Sequence, residues 1–138
     1  MERIAVRTHA DSRRLFVGDL FDTPDGDVNL VRLYPGAVCA WHRHQKQTDR
    51  LFCVTGAVRI GLIRMPEGYS IHSPYPVEWF VLDERTPGPL TIPPDTWHGY
   101  GAITDPCVLL QYNTPKYSPD DEERQPLKKL PWDSGTIS

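Results

Sequence analysis

The sequence lacks any long apolar run, and this absence limits what the protein can be. No stretch of its 138 residues approaches the roughly 20 apolar residues that a membrane-spanning helix needs, and no charged-then-apolar leader opens the chain. Basic residues are not in excess, with 15 Lys and Arg against 18 Asp and Glu. We therefore expect a cytoplasmic protein that binds neither membranes nor nucleic acid.

Cysteine is also scarce, and the three cysteines show no paired spacing. Cys39, Cys53 and Cys107 each lie inside an apolar, strand-like run. A free cysteine packs like a small hydrophobic residue, so these positions suit buried, reduced thiols. The sequence therefore gives no sign of a disulfide framework.

Short, punctuated β-like segments dominate what is present. The 14 prolines and 10 glycines separate runs that alternate apolar and polar residues, such as VNLVRLY at Val28–Tyr34. About ten short strands of this kind favour an all-β sandwich or barrel. The length suits one domain, residues 1–138, with a strand core at about 28–113.

The last segment, residues 114–138, differs in character. Ser118 is a good helix N-cap, Pro119 suits the first helical position, and the acidic run Asp120–Glu122 favours the positive end of a helix dipole. The sequence therefore predicts a short C-terminal helix, ended by Pro126 and followed by a tail.

The stretch Gly36–Gly56, GAVCAWHRHQKQTDRLFCVTG, contains residues that suit a metal site or an acid/base pocket. His42 and His44 are two positions apart, so in a strand their side chains share one face. A turn after His44 allows Asp49, near the start of the next strand, to point back toward both rings. These three side chains are therefore predicted to meet.

A second stretch, LTIPPDTWHGYG at Leu90–Gly101, supplies a third histidine. It is predicted to form a short strand, a turn at the proline pair and a further strand that carries His98. That arrangement allows His98 to reach the same pocket. The sequence thus predicts a site with three imidazoles and one carboxylate.

Together the two stretches resemble the cupin superfamily. The spacing from Gly36 through His42, His44 and Asp49 to Gly56 is similar to the first cupin motif, with Asp in place of the usual Glu. IPPDTWH is similar to the second motif, with Asp in place of Gly. The resemblance implies a double-stranded β-helix, the jelly-roll barrel, with the motif residues at the mouth of a pocket.

Within cupins, the sequence resembles the dTDP-4-dehydrorhamnose 3,5-epimerase family over roughly residues 30–133. The matching stretches are, in order, CAWHRH, TDRLFCVTGAV, IPPDTWHGY, LQYNTPKYSP and PWDS. The resemblance implies that His42 removes the proton next to the sugar's 4-keto group and that Arg50 helps to hold the resulting enolate. Imidazole suits the first task because its ordinary pKa lies near neutrality.

The resemblance also implies a catalytic tyrosine that returns a proton. An ungapped comparison places it at Gln111, whereas Tyr112 fits only after a one-residue shift, which would reverse the face of the strand. The family also has a late aspartate that orients the histidine, and this sequence has no matching residue. Asp49 is therefore the candidate to orient His42. Four residues are candidates for substrate binding: His98, Trp41, Gln111 and Tyr117.

His44 keeps a second interpretation open, because the epimerases need no metal and have Gln at this position. A set of His42, His44, Asp49 and His98 would suit a divalent metal ion, Fe, Mn, Ni, Zn or Cu, and spacing does not choose among them. Three hypotheses follow: a keto-sugar epimerase or isomerase without a cofactor, a metal-dependent oxygenase or isomerase, and a non-catalytic sugar-binding cupin.

The expected partner is a small molecule, either a sugar or a sugar nucleotide. The family resemblance and an expected exposed sheet edge also predict a homodimer. A related dehydration or keto-isomerisation would begin with the same proton abstraction as epimerisation.

Overall fold

The computed structural model describes residues 2–3, 5–64, 77–125 and 132. Strands account for most of these residues, and their regular helix is limited to one 3-10 turn at Pro119–Asp121. The eleven strands within the described residues are β1 Arg7–Ala10, β2 Arg14–Gly18, β3 Asp27–Leu33, β4 Val38–His44, β5 Thr48–Thr55, β6 Ala57–Arg64, β7 Glu78–Asp83, β8 Leu90–Ile92, β9 Thr96–Ala102, β10 Cys107–Thr114 and β11 Glu122–Arg124.

The strands form two antiparallel sheets. One has the order β1-β2-β3-β10-β5-β8, and the other has the order β11-β4-β9-β6-β7. Neighbours in these sheets are mostly distant in sequence, as in a jelly roll, so the predicted all-β architecture is confirmed. No helix among the described residues is long and apolar enough to cross a membrane.

The main core lies between the two sheets because alternate residues of each strand point inward. In β3, for example, Val31 and Leu33 are fully buried, whereas Arg32 between them is exposed. The inward apolar residues of both sheets form one cluster that includes Leu51, Cys53, Val58, Ile60, Leu62, Ile92, Tyr100 and Leu109. All three cysteines are buried and unpaired, as predicted.

A second, smaller cluster covers the outer face of the five-stranded sheet. It contains Trp41, Ile63 and Trp97, with Trp132 packed against it. The pairing of β4 with β9 shifts register between Ala40 and His42. This irregularity interrupts strict alternation, so Trp41 lies on the outer face while His42 turns into the pocket.

The C-terminal segment corrects the predicted helix. After the single 3-10 turn at Pro119–Asp121, the chain becomes β11, which pairs with β4 from Glu122 opposite His44 to Arg124 opposite His42. The Ser118 side chain makes no capping hydrogen bond. A free edge of β4 supplies hydrogen-bond partners for an extended backbone, and this outweighs the local helix signals. Beyond residue 125, the predicted tail lies outside the described residues except for Trp132.

The first strand of the described residues, β1 at Arg7–Ala10, lies near the N-terminal end of the sequence. All four residues of β1 are exposed. Their sequence, RTHA, lacks the apolar alternation that identifies a half-buried strand.

Candidate active site

The inward residues at one end of the barrel enclose a cavity of about 250 Å³. Side chains from both sheets and from the segment after β10 line it, and most of them are polar or charged. They include Arg14, His42, His44, Gln47, Asp49, His98, Tyr100, Gln111, Tyr117 and Glu122.

One wall of the cavity holds a histidine–carboxylate pair from β4 and β11. His42 Nδ1 lies 3.1 Å from Glu122 Oε1, and the two side chains are only 13% and 10% exposed. A carboxylate can only accept, so Nδ1 of His42 carries the hydrogen and Nε2 is left as the basic nitrogen. Burial lowers the pKa of His42, so the ring is neutral at pH 7.

The Glu122 carboxylate is itself held by two further donors. Its Oε2 accepts hydrogen bonds from the Tyr117 hydroxyl and, at 3.0 Å, from Arg124 Nη2. Burial favours the neutral acid, but the hydrogen bonds from His42, Tyr117 and Arg124 outweigh it and hold the pKa of Glu122 well below its usual range. Glu122 is therefore ionised, which suits a group that stabilises a protonated His42.

The other wall holds a cluster in which two histidines converge on one carboxylate. Asp49 Oδ2 lies 3.2 Å from His98 Nε2 and 3.7 Å from His44 Nε2. All three residues are buried, and their ligand atoms lie within 4.8 Å of one another. Burial opposes ionisation of Asp49, but the neighbouring histidines and Gln47 lower the pKa of its carboxyl group.

The hydrogen bonds around His98 restrict its protonation. His98 Nδ1 lies 3.0 Å from the Thr96 carbonyl oxygen, which can only accept, so this nitrogen carries a hydrogen. Nε2 of His98 then faces the Asp49 carboxylate, so a cation could lie between these two atoms.

Two amides complete the surroundings of Asp49. Its Oδ1 accepts hydrogen bonds from Gln47 Nε2 at 2.7 Å and from Gln111 Nε2 at 3.3 Å. By contrast, His44 Nδ1 and Gln47 Oε1 are buried and have no hydrogen-bond partner among the described residues. Buried polar groups are normally paired, so these two atoms are available to bind a ligand.

The segment that carries Glu122 is fixed by its acidic neighbours. The Asp121 carboxylate accepts hydrogen bonds from the backbone N–H groups of Gln45, Lys46 and Gln47 at 3.0 to 3.2 Å. Glu123 accepts from Arg43 Nη2 and from the Gln45 side chain, each at 2.8 Å. Asp121 and Glu123 therefore hold the turn between β4 and β5 from outside, while Glu122 points inward.

Six of the predicted site residues meet in the cavity, four from the two sequence stretches and two from the family resemblance. They are His42, His44, Asp49, His98, Gln111 and Tyr117. Two details of the prediction require correction: Glu122, not Asp49, accompanies His42, and the compact metal-ligand group contains His44, Asp49 and His98 without His42. The roles assigned to these residues stay predictions.

Three other predicted residues lie away from the cavity. Arg50 and Tyr112 are cross-strand partners, with the guanidinium over the phenol ring at 5.2 Å, and Arg50 also donates to Thr114 Oγ1. They occupy the strand positions next to Asp49 and Gln111, so they point to the opposite face. Trp41 is fully buried in the outer aromatic cluster.

Of the ten cavity residues named first above, four were not predicted from the sequence: Glu122, Arg14, Tyr100 and Gln47. Glu122 was concealed by the acidic run that predicted a helix, and Arg14 lies on β2, outside the two motif stretches. Strand alternation gave a usable signal for Tyr100, since it lies two positions after His98 and so shares its inward face.

The chain was compared with protein-family models, with curated proteins and with solved structures. No protein-family model matches the chain. The chain is, however, 30% identical over 135 residues to the spore coat polysaccharide biosynthesis protein SpsL of Bacillus subtilis (strain 168), covering 94% of this chain and 86% of SpsL. The chain therefore belongs to the SpsL family.

Other relatives of this SpsL-family chain are also associated with sugars. It is 37% identical over 102 residues to the probable low-salt glycan biosynthesis epimerase Agl13 of Haloferax volcanii, covering 72% of this chain but only 62% of Agl13. Among solved structures, the dTDP sugar isomerase of Desulfovibrio desulfuricans G20 has a TM-score of 0.68 at 22% identity, covering 94% of this chain and 87% of that one. This likeness shows a shared fold and confirms the predicted cupin-type jelly roll as the architecture of the chain.

Proposed function

We propose that the protein is a sugar epimerase or isomerase that abstracts a proton next to a carbonyl of a keto-sugar, most simply a nucleotide-linked one. The observation that carries this proposal is the pair of His42 and Glu122 in a cavity of a chain whose relatives include a glycan biosynthesis epimerase. His42 is the base, and its free Nε2 receives the proton.

The electrostatics of the pair suit this task. A base must be unprotonated before it acts, and the lowered pKa of the buried His42 keeps its ring neutral. Once the ring gains a proton, the ionised Glu122 beside Nδ1 stabilises the positive charge. Tyr117 and Arg124 keep Glu122 ionised and oriented, so the pair is preorganised for proton transfer.

Solvent deuterium uptake into dTDP-4-keto-6-deoxyglucose tests the proposal. In D₂O the protein is expected to exchange a hydrogen next to the keto group, and the His42→Gln variant is expected to lose this activity. NMR and mass spectrometry then identify the exchanged carbon and any epimer or isomer formed. Exchange that is equally fast in the variant, or no exchange by the parent protein, would contradict the proposal.

A second candidate function rests on the His44–Asp49–His98 cluster, which could hold a divalent metal ion. Metal–ligand bonds of about 2.0 to 2.2 Å place neighbouring ligand atoms roughly 3.0 to 3.6 Å apart. The separation of 3.2 Å from Asp49 Oδ2 to His98 Nε2 lies within this range, and the separation of 3.7 Å to His44 Nε2 is just above it. The Thr96 carbonyl fixes the His98 tautomer that a metal ligand needs.

A metal bound there would act as a Lewis acid toward a substrate oxygen or a bound water. Elemental analysis of tag-free protein tests this alternative, with the His44→Ala variant alongside it. About one metal equivalent per chain that disappears in the variant would support the metal-dependent hypothesis. No metal in either protein, even after loading with divalent ions, would remove it.

We also propose that the protein is a cytoplasmic homodimer. An exposed edge strand supports the dimer. β1 is an edge strand of the six-stranded sheet, and all four of its residues are exposed. An open edge of this kind offers unpaired backbone groups to a second copy. Sedimentation equilibrium tests the dimer, and a monomer at micromolar concentration would contradict it.

A further inference from the structure

The cavity contains a phenol that neither proposed function uses. Tyr100 lies on β9, two positions after His98, and its side chain is only 6% exposed. Its ring belongs to the apolar core between the sheets, and the residue also lines the cavity. Arg14, from β2 of the opposite sheet, donates from Nη1 to the Tyr100 hydroxyl oxygen.

The direction of this hydrogen bond determines what the phenol can do. A guanidinium has only donors, so the Tyr100 oxygen must accept and its own hydrogen stays available. Within the described residues, Arg14 is the single hydrogen-bonding partner of this hydroxyl. The adjacent positive charge polarises the O–H bond, which makes Tyr100 a better donor toward anything that enters the cavity.

Proton abstraction next to a carbonyl creates a need for such a donor. The negative charge that leaves the carbon moves to the carbonyl oxygen, and a buried enolate requires a cation or a hydrogen-bond donor beside that oxygen. The family resemblance assigned this task to Arg50, which lies on the opposite face of β5. Arg14 and Tyr100 provide a cation and a donor inside the cavity.

We propose that Tyr100 is a catalytic residue that donates a hydrogen bond to the enolate oxygen of the keto-sugar, and that Arg14 is the positioning residue that polarises it. This inference rests on the proposed function. Arg14 suits the role because its buried Nε has no hydrogen-bond partner in the part of the chain that the structure describes, which leaves it a further donor. Phe16 supports the guanidinium from below, with its ring centre 5.3 Å away.

Two matched substitutions test the role of the phenol. Tyr100→Phe removes one hydroxyl and retains the ring that packs in the core, whereas Tyr112→Phe makes the same change outside the cavity. With dTDP-4-keto-6-deoxyglucose in D₂O, Tyr100→Phe is expected to lower both deuterium uptake and product formation by about 10²- to 10³-fold, mainly in kcat. Tyr112→Phe is expected to change neither rate, and thermal unfolding of both variants verifies the fold.

The outcomes separate this inference from the proposed function. Parent-like rates in Tyr100→Phe would overturn the inference alone, and so would a variant that loses product formation but retains full deuterium uptake, because the phenol would then act after the enolate. No uptake by the parent protein would overturn the proposed function and this inference together.

The arginine has its own pair of variants. Arg14→Gln is expected to lower kcat about 10-fold or more with little change in KM, and Arg14→Lys is expected to restore part of the loss because it restores the charge. In a Tyr100→Phe background, Arg14→Gln should have little further effect on kcat, because the two residues act together. Arg50→Gln is the control outside the cavity. Additive losses from Arg14→Gln and Tyr100→Phe would contradict the proposed coupling.

Discussion

The cavity contains two histidine–carboxylate groupings that differ in how many rings share a carboxylate. On one side, Glu122 serves a single ring, His42, and is held by Tyr117 and Arg124. On the other side, Asp49 faces both His44 and His98 through one oxygen. The first grouping leaves a basic nitrogen free for the cavity, whereas the second directs two nitrogens toward the same oxygen.

This difference shows how one barrel can be suited to two kinds of chemistry. A ring with one carboxylate on Nδ1 is prepared to accept a proton on Nε2. Two rings that converge on one carboxylate are prepared to hold a proton or a metal ion between them. The experiments below distinguish the two groupings by changing one carboxylate or one histidine at a time.

The largest expected effect comes from the two carboxylates. Glu122→Gln should lower deuterium uptake about 10²-fold or more, because the amide no longer stabilises the charge on a protonated His42. Asp49→Asn should lower it less, by about 10-fold, since Asp49 does not contact His42. Uptake measured for both variants under the same conditions gives the ranking.

The reverse ranking would contradict the assignment of the base. If Asp49→Asn abolished the reaction while Glu122→Gln retained most of it, the His44–Asp49–His98 cluster would be the reacting centre. Unfolding by urea provides the control, because a buried charged group that loses a partner also destabilises the fold.

The next effect concerns metal affinity, with the two neighbouring histidines of β4 as a matched pair. His44→Ala should weaken the binding of Zn²⁺ or Co²⁺ at least about 100-fold, because it removes one of three ligands. His42→Ala should leave affinity within a few-fold, because His42 is directed to Glu122. Isothermal titration with each variant measures the affinities. Equal losses would restore His42 to the ligand set predicted from sequence.

Most of the fold was predictable from sequence because its signals are local. Alternation in β3, β5, β6 and β10 identified the strands and their inward faces, and the histidine spacing indicated the pocket. The exceptions are β1 and β11, which have no apolar alternation. Both are edge strands, formed because a neighbouring strand offers backbone hydrogen bonds. Such pairing is not visible in the segment's own residues.

The site was predictable only where function follows a motif. His42, His44, Asp49 and His98 occupy spacings that strand geometry interprets directly. Glu122 lies 80 positions from His42, and its role depends on a backbone pairing that the sequence does not show. Arg50 and Tyr112 were predicted from the family resemblance, but each is one position from an inward-facing residue, and one position reverses the face.

A smaller effect is expected from Asp121, which precedes Glu122 and holds the turn between β4 and β5. Asp121→Ala removes the acceptor of three backbone hydrogen bonds in the turn at Gln45–Gln47 and should lower the free energy of unfolding by about 1 to 2 kcal/mol. Glu122 should then be less firmly placed, with a loss in deuterium uptake of up to about 10-fold. In a Glu122→Gln background the same change should cost little further activity. Additive losses in activity would show that Asp121 acts by another route.

The smallest expected effect is the dependence of the free energy of unfolding on pH. It depends on His42 in one grouping and on His44 in the other. Burial lowers the pKa of His42 and of His44, so between pH 5.5 and 7.5 the unfolded chain binds more protons than the folded one. The free energy of unfolding should therefore rise as the pH rises through the ordinary histidine pKa near 6.5. Carboxylates contribute little in this range, because those of the unfolded chain ionise below about pH 5. Urea unfolding at several pH values measures the slope, and His42→Gln should reduce it. If His42→Gln removed a fall in stability with rising pH instead of a rise, His42 would be charged in the folded protein and could not be the free base.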